Sequence, residues 1–418
     1  MPRMSRHPAV PLAWAILVAG LTMARGDEPV PPLAIRGGVV HTMAGPAIAD
    51  GVVLIEDGKI KAVASAAEVA IPPGTRVLQA AVVTPGLVDA HTVVGLTGWI
   101  NQPQDQDQLD PTEPVQPELR AIDSYNPRER LVEWLRGFGV TTLHTGHAPG
   151  ALVSGQTMIV KTTGDSVEAA VIRPTAMVAV TLGDDARPGG PDAEKKSPGT
   201  RSKAVAMLRG ELVKAGEYVR RRAAGGDEQP DRDLRRDVFA DVLARRLPLL
   251  VTVNRATDID AALRIAAEFK IRIVIDSGAE AYLCLDRLKS TGVPVILHPS
   301  MRRAGMGETE NISFETAAKL RAAGIPFALQ SGFEGYVPKT RVALFEAAIA
   351  AANGLTTEQA LAAITSDAAT ILGIADRVGA IKPGLDGDVA LFDGDPFEYT
   401  THCTGVVIDG RVVSGDAR

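Results

Sequence analysis

Short apolar runs alternate with segments of helical spacing over the second half of the chain. In residues 258–269 the apolar positions Ile259, Leu263, Ile265 and Ala266 recur at intervals that place them on one face of a helix. The predicted strands are residues 249–253, 271–275, 293–297 and 325–329, and the predicted helices are residues 258–269, 280–289, 314–323 and 343–352. Strands that are apolar throughout are typical of parallel sheets covered on both faces. The alternation therefore predicts a parallel barrel of strands and helices, in the α/β class.

Both ends of the chain carry strand-like runs bounded by glycine. Residues 33–40 and 51–63 form two such runs near the start, and residues 406–413 form another near the end. The pair Asp409-Gly410 divides the last run and predicts a tight turn between two strands. Polar segments at 102–118 and 184–201, which contain proline, are predicted loops, and the first is expected to shape the mouth of the barrel.

The first 24 residues have the pattern of a signal peptide. Arg3 and Arg6 form a basic start, residues 9–23 are apolar apart from Thr22, and Ala24 ends a plausible cleavage site. The apolar run is shorter than the roughly 20 residues that a membrane span needs. We therefore expect export to the periplasm or the extracellular space, and no membrane span after removal of the signal. An uncleaved anchor helix is the alternative.

Composition and charge indicate an ordinary globular protein. The chain has 418 residues, of which 45% are hydrophobic and 22% charged, and this allows about two or three domains. Its net charge is −6 and it has no basic stripe, so nucleic acid is not an expected partner. The cluster Arg220-Arg221-Arg222 suits the end of a solvated helix. Cys284 and Cys403 are expected to be free thiols.

Two motifs resemble those of the amidohydrolase superfamily. Residues 84–93, Thr-Pro-Gly-Leu-Val-Asp-Ala-His-Thr-Val, resemble its metal-binding strand, P-G-(L/I)-(I/V)-D-x-H-x-H, with Val93 in place of the second histidine. Residues 378–396 resemble the superfamily's carboxyl-terminal G-x-(I/L)-x-x-G-x-x-A-D ending. The resemblance spans residues 33–415 and is strongest to the imidazolonepropionase-like branch.

The resemblance implies a fold and a reaction. It implies a (β/α)8 barrel over residues 88–380, beside a small β-sandwich built from residues 25–87 and 381–418. It also implies hydrolysis of a non-peptide C–N bond in a small amide or cyclic amide, with metal ions supplying the chemistry.

The same resemblance implies a ligand set that this chain mostly lacks. Relatives carry histidines after the first, fifth and sixth barrel strands and an aspartate after the eighth. Here Val93, Asn254 and Ser277 replace histidines, and residues 329–334 contain no aspartate. Because catalytic zinc needs about three protein ligands, His91 alone cannot hold the ion. We do not expect the usual binuclear site, and metal catalysis is expected to be altered or lost.

Three interpretations remain open. In the first, one divalent transition metal such as zinc has moved to His91, His147, His298 and Asp276, which all lie near predicted strand ends. Each of these histidines could instead form only local hydrogen bonds.

In the second interpretation the protein is a pseudoenzyme that binds a small ligand or a partner at the barrel mouth. Lys161, Arg255 and Glu334 would be its polar pocket residues, although each could equally be an ion-pair partner. The third is a metal-free hydrolase, but the sequence has no G-x-S-x-G, C-x-x-C, H-E-x-x-H or phosphate-loop motif. Substrate and oligomeric state stay open.

Overall fold

The structure is a computed structural model. It describes residues 30–100, 102–187, 197–226, 229–298, 300, 307–333 and 342–415. The predicted signal peptide and Glu334 lie outside the described residues. Among the described residues no helix has the length and apolar character needed to span a bilayer.

Strands from both ends of the chain form one seven-stranded sheet. Its strands are β1 (Leu33–Val40), β2 (Ile48–Glu56), β3 (Lys59–Ser65), β4 (Arg76–Pro85), β15 (Val389–Phe392), β16 (Cys403–Ile408) and β17 (Arg411–Gly415), in the order β17-β16-β15-β4-β1-β2-β3. The two ends of the chain join where β15 pairs antiparallel with β4. Asp409 and Gly410 adopt φ angles of 49° and 72° in the turn between β16 and β17, as the Asp-Gly pair predicts.

The residues between these ends form two further sheets. Their strands are β5 (Leu87–Thr92), β6 (Val140–Thr145), β7 (Val153–Gln156), β8 (Met158–Lys161), β9 (Val171–Arg173), β10 (Val178–Thr181), β11 (Leu249–Val253), β12 (Ile273–Ser277), β13 (Val295–Leu297) and β14 (Phe327–Leu329). The sheet orders are β14-β13-β12-β11-β10-β7 and β5-β6-β8-β9. Strands β10 to β14 pair in parallel, and so do β5 and β6. The strand predicted at 249–253 is confirmed with the same bounds.

The edges of these two sheets meet at two places. Thr92, which ends β5, forms a parallel bridge with Gly332, just after β14. On the other side, the backbone of Thr157, just before β8, exchanges hydrogen bonds of 2.9 and 2.7 Å with Met177 and Ala176, just before β10. The fold is mixed α/β, and strands of both central sheets contribute side chains to one interior cluster.

Helices connect and cover the central strands. They are α1 (Arg130–Arg136), α2 (Val167–Ala170), α3 (Arg201–Ala224), α4 (Leu234–Leu243), α5 (Ala256–Phe269), α6 (Leu285–Thr291), α7 (Thr316–Ala323), α8 (Ala343–Ala352), α9 (Thr357–Ala363) and α10 (Ser366–Leu372), with short 3-10 helices at Pro103–Asp105, Ala121–Asp123, Asp184–Ala186 and Ala281–Leu283. The helix predicted at 343–352 has those bounds, whereas the one predicted at 280–289 is a 3-10 turn followed by α6. The arginine cluster lies at the end of α3, as predicted.

An apolar layer fills the interior between the central strands. Val88, Leu250, Val274, Ile296 and Ala328 are buried there and pack against α10. Because side chains alternate along a strand, residues two positions later on each strand face the same interior. The polar residues that follow this apolar layer therefore lie directly above it, toward the carboxyl ends of the strands.

A buried cation joins the central strands to the seven-stranded sheet. The Lys161 amine, at the end of β8, lies 2.7 Å from Asp386, 3.0 Å from Asp388 and 2.5 Å from Asp409. Burial alone lowers the pKa of Lys161, but the charges of Asp388 and Asp409 outweigh it, so the pKa is raised and the amine stays charged. The structure thus favours the ion-pair alternative for Lys161. Because β8 runs antiparallel to β6, this cluster lies at the amino ends of the parallel strands.

We predict that Lys161→Met destabilises the fold by about 3–5 kcal/mol, because the buried aspartates lose their cation. Their folded pKa values rise without Lys161, so the variant regains stability as they protonate. The loss should therefore be larger at about pH 7 than at about pH 5. Urea denaturation measures both. Lys59→Met is the control: Lys59 pairs with the same Asp386 but is 52% exposed, and its loss should cost at most about 1 kcal/mol. Equal losses for the two variants would contradict the assignment.

Candidate functional site at the carboxyl ends of the central strands

Polar side chains gather where the parallel central strands end. His91 lies at the end of β5, Asn254 follows β11, Asp276 and Ser277 end β12, and Gln330 follows β14. All five are buried. In barrels and open α/β sheets this end of the strands carries the chemistry.

Asp276 is the centre of this group. Its carboxylate lies 2.9 Å from His91 Nδ1, and it accepts hydrogen bonds from Thr252 Oγ1 at 2.7 Å and Gln330 Nε2 at 2.9 Å. Burial alone raises the pKa of this carboxyl, but His91 and the hydrogen bonds outweigh burial, so the pKa is lowered and the group is ionised. One carboxylate thus accepts hydrogen bonds from residues on β5 and β11 and from the residue after β14.

His91 presents one nitrogen to Asp276 and leaves the other without a partner. A nitrogen that faces a carboxylate at this distance carries the proton, so His91 Nδ1 is the donor and Nε2 is an acceptor when the ring is neutral. His91 is 1% exposed, and its Nε2 has no hydrogen-bond partner among the described residues. The ring lies 5.7 Å from the His144 ring and 6.0 Å from the Phe333 ring, between centroids.

His144 is held as a neutral structural residue. Its Nδ1 donates to the Ala90 carbonyl at 2.7 Å, so its Nε2 accepts from Thr157 Oγ1 at 2.7 Å. Burial, with the nearby His91, lowers the pKa of His144 to about 3. Both ring nitrogens are engaged, and the ring cannot also ligate a metal.

Three further buried polar atoms at this end have no partner among the described residues. They are Asn254 Nδ2, Ser277 Oγ and Gln330 Oε1. Ser277 also has a φ of +72°, an uncommon conformation for a residue with a side chain. Most buried polar atoms in native proteins are hydrogen-bonded. Unpartnered groups like these are therefore candidates for hydrogen bonds to a ligand.

The other predicted site residues follow different elements of the fold. His147 follows β6 and lines a cavity formed with the segment 106–124. His298 is buried directly after β13, and its backbone N–H donates to Ser277. Arg255 precedes α5, and its Nε has no partner among the described residues. Of the four predicted metal ligands, the structure brings His91 and Asp276 into contact.

The donors do not make up a metal site. Among the residues that the structure describes, no group of three or more His, Cys, Asp or Glu side chains is placed to hold an ion. Asp276 already receives three hydrogen bonds, and His91 has only Nε2 to offer.

The sequence interpretation missed Thr252, Gln330 and Asp89. Thr252 stands two positions before Asn254, so strand alternation could have placed both on the interior face. Asp89 accepts from the Ser331 backbone N–H at 3.0 Å and from the Ser331 hydroxyl. Burial raises the pKa of Asp89 to about 6, against the lowering effect of these bonds. This pair fastens β5 to the segment after β14.

Comparisons with known proteins agree with the motifs. The Amidohydrolase family matches residues 252–414. Imidazolonepropionase of Stenotrophomonas maltophilia is 26% identical over 402 residues, which cover 88% of this chain and 92% of that protein. A Xanthomonas oryzae imidazolonepropionase is 24% identical and covers 83% of this chain and 88% of its own length. The crystal structure of an amidohydrolase from Thermotoga maritima is 28% identical, with a TM-score of 0.85 over 92% of this chain and 100% of that one.

The family match and these relatives support membership of the amidohydrolase superfamily, in its imidazolonepropionase-like branch.

We predict that Thr252→Val destabilises the protein by about 1–3 kcal/mol, because Asp276 loses a donor and keeps its buried charge. Thr181→Val is the matched control. Thr181 pairs in register with Thr252 on the neighbouring strand and is also buried, but its hydroxyl has no partner among the described residues. Its replacement should leave the free energy of unfolding unchanged or increase it. Denaturant unfolding compares the two, and similar losses in both variants would argue against the Asp276 network.

Proposed function

We propose that this protein is an exported member of the amidohydrolase superfamily that binds a small ligand at the carboxyl ends of its central strands and has lost metal-dependent hydrolysis. The contact between His91 and Asp276 carries the proposal. It joins the histidine that matches the family motif to a carboxylate that is held by two more donors, in the region where the resemblance implies metal ligands.

The chemistry of the donor set supports this proposal. Catalytic zinc takes about three protein ligands, usually imidazole, thiolate or carboxylate. Val93 offers none, and the Asn254 amide and the Ser277 hydroxyl are weak ligands beside imidazole. Zinc would have to take oxygen from Asp276 against the donors that already satisfy it, and each lost bond to a charged group costs about 1.5–3 kcal/mol.

The architecture that we propose is the family's (β/α)8 barrel over residues 88–380, beside a sandwich from residues 25–87 and 381–418. Two observations support it: the edges of the two central sheets meet at Thr92 and Gly332 and again near Thr157 and Met177, and one sheet contains strands from both chain ends.

We also propose that the mature chain begins near Arg25 in the periplasm or outside the cell. The basic start and the short apolar run support it. Mass spectrometry of the exported fraction should find a chain that begins near Arg25, and intact residues 1–24 on cytoplasmic protein would contradict the proposal.

The central test measures zinc and turnover in the purified mature protein. We predict sub-stoichiometric zinc after dialysis and no metal-dependent hydrolysis of hydantoins or lactams. Val93→His alone should change neither the zinc content nor the turnover, because Asn254 and Ser277 still replace histidines and residues 329–334 still contain no aspartate. The combined variant Val93→His, Asn254→His, Ser277→His and Gln330→Asp should bind more zinc, with circular dichroism as the control for folding. Stoichiometric zinc with turnover in the wild type or the single variant would overturn the proposal.

One observation favours a second candidate, which is metal-free acid–base chemistry at His91. A carboxylate on Nδ1 fixes the tautomer of an imidazole and leaves Nε2 as a proton acceptor, as in hydrolases that use a histidine and an aspartate. His91 and Asp276 have this arrangement, and the unpartnered Nε2 is buried.

A pair of variants tests this candidate. His91→Asn retains a donor toward Asp276 and removes Nε2. If the candidate is correct, wild-type turnover of the same compounds persists in the presence of a chelator and disappears in His91→Asn. Absence of turnover in the chelated wild type would leave ligand binding as the function.

A further inference from the structure

A cavity of about 420 Å³ lies at the carboxyl ends of β5 and β6. Its walls are the segment 106–124, which belongs to the connection after β5, and His147, which follows β6. The volume lies within the range of small-molecule sites. None of the residues that form the Asp276 network lines it, so this cavity is a separate feature of the mouth.

Most of the charged residues that line this cavity are carboxylates. Asp107, Asp110, Glu118 and Asp123 line the cavity against the single cation Arg120. Arg120 pairs with Asp123 at 3.1 Å, which leaves Asp107 and Asp110 without an ion-pair partner among the described residues. Hydrogen bonds from the Thr112 hydroxyl and backbone lower the pKa of Asp110, so it is ionised. The cavity therefore carries uncompensated negative charge.

Two residues that line the cavity, Glu118 and His147, also have buried acceptor atoms that receive no well-aligned hydrogen bond from the described residues. Glu118 accepts from Arg235 at 2.7 Å through Oε1, but its buried Oε2 has no partner among the described residues. His147 is 4% exposed, and neither ring nitrogen forms a well-aligned hydrogen bond with the described residues. Burial lowers the pKa of His147 to about 4, against the raising effect of the nearby Gln108 backbone, so near pH 7 the ring is neutral and one of its nitrogens is an acceptor.

A glycine makes room for the imidazole. Gly155 has a φ of +137°, and a Cβ built on it would lie 2.3 Å from His147 Cδ2. Only glycine lets the ring lie this close to the backbone of β7 and still line the cavity.

We propose that this cavity binds a small organic cation with N–H groups, an ammonium or a guanidinium. Its N–H groups donate to Glu118 Oε2 and His147, and Asp107 and Asp110 balance its charge. A metal ion is the weaker fit, because no three donors among the described residues are grouped to hold one. The inference names the ligand class for the proposed binding function and rests on it.

Four probes of similar size test the charge requirement. Butylammonium and butylguanidinium should bind, and butanol and butyrate should not, in calorimetric titrations at constant ionic strength. Glu118→Gln should weaken cation binding about tenfold, since it removes a buried charged acceptor. Asp110→Asn should weaken it about two- to fivefold, since the lost charge is exposed. Asp241 on α4 forms a surface ion pair with Arg246, and Asp241→Asn should leave cation binding unchanged.

Three outcomes would overturn the inference: no binding by either cation, equal binding by butanol, or unchanged binding in Glu118→Gln with native circular dichroism. Displacement of the cation by stoichiometric zinc would show a metal site instead. The result is separable from the test of hydrolysis. A protein that turned over hydantoins with zinc and still bound butylammonium would contradict the proposed loss of catalysis and leave the cation cavity in place.

Discussion

The arrangement at the carboxyl ends of the central strands depends on one buried charge. Asp276 is ionised although its side chain is fully buried, and an unpaired carboxylate there would cost several kcal/mol. Donors from β5, β11 and the segment after β14 satisfy it. Because the charge must be satisfied, the strands that carry those donors must end close enough together for each donor to reach Asp276. The same requirement fixes the tautomer of His91 and the direction in which Nε2 points.

The opposite ends of these strands have a second buried charge of the other sign. Lys161 is enclosed by aspartates from the seven-stranded sheet, so the cluster couples that sheet to β8. The two charged centres have different roles. Lys161 joins two parts of the fold, whereas Asp276 holds the residues that a ligand would meet.

The resemblance to the superfamily implies histidines and an aspartate at strand ends where this chain has an amide, a hydroxyl and a hydrogen-bonded His-Asp pair. Such groups recognise a ligand by donors and acceptors, but they do not lower the pKa of a bound water to about 7 as a zinc ion does. In the function that we propose, the acidic cavity beside His147 adds a second place of recognition at the mouth. His91 Nε2, which has no partner among the described residues, is placed to take a proton.

The sequence alone determined the order of strands and helices in the second half of the chain, because buried parallel strands are short apolar runs and helices repeat every 3.6 residues. The motifs at residues 84–93 and 378–396 also predicted the family. That Val93, Asn254 and Ser277 replace metal ligands stays a prediction from the resemblance. The first residues of the strands were harder to predict from the sequence. Strands β13 and β14 begin directly after Pro294 and Pro326, which have no N–H group to pair with a neighbouring strand.

Only the tertiary structure decided which polar residues meet. Asp276 and His91 are 185 positions apart, yet they lie 2.9 Å from each other. His147 appears equivalent to them in the sequence but lines a cavity that neither of them lines, and Lys161 pairs with residues more than 200 positions away. A linear pattern records the face of a strand on which a side chain lies. The partner across the interior is set by how several strands and a second sheet pack around one buried charge, and no local pattern contains that information.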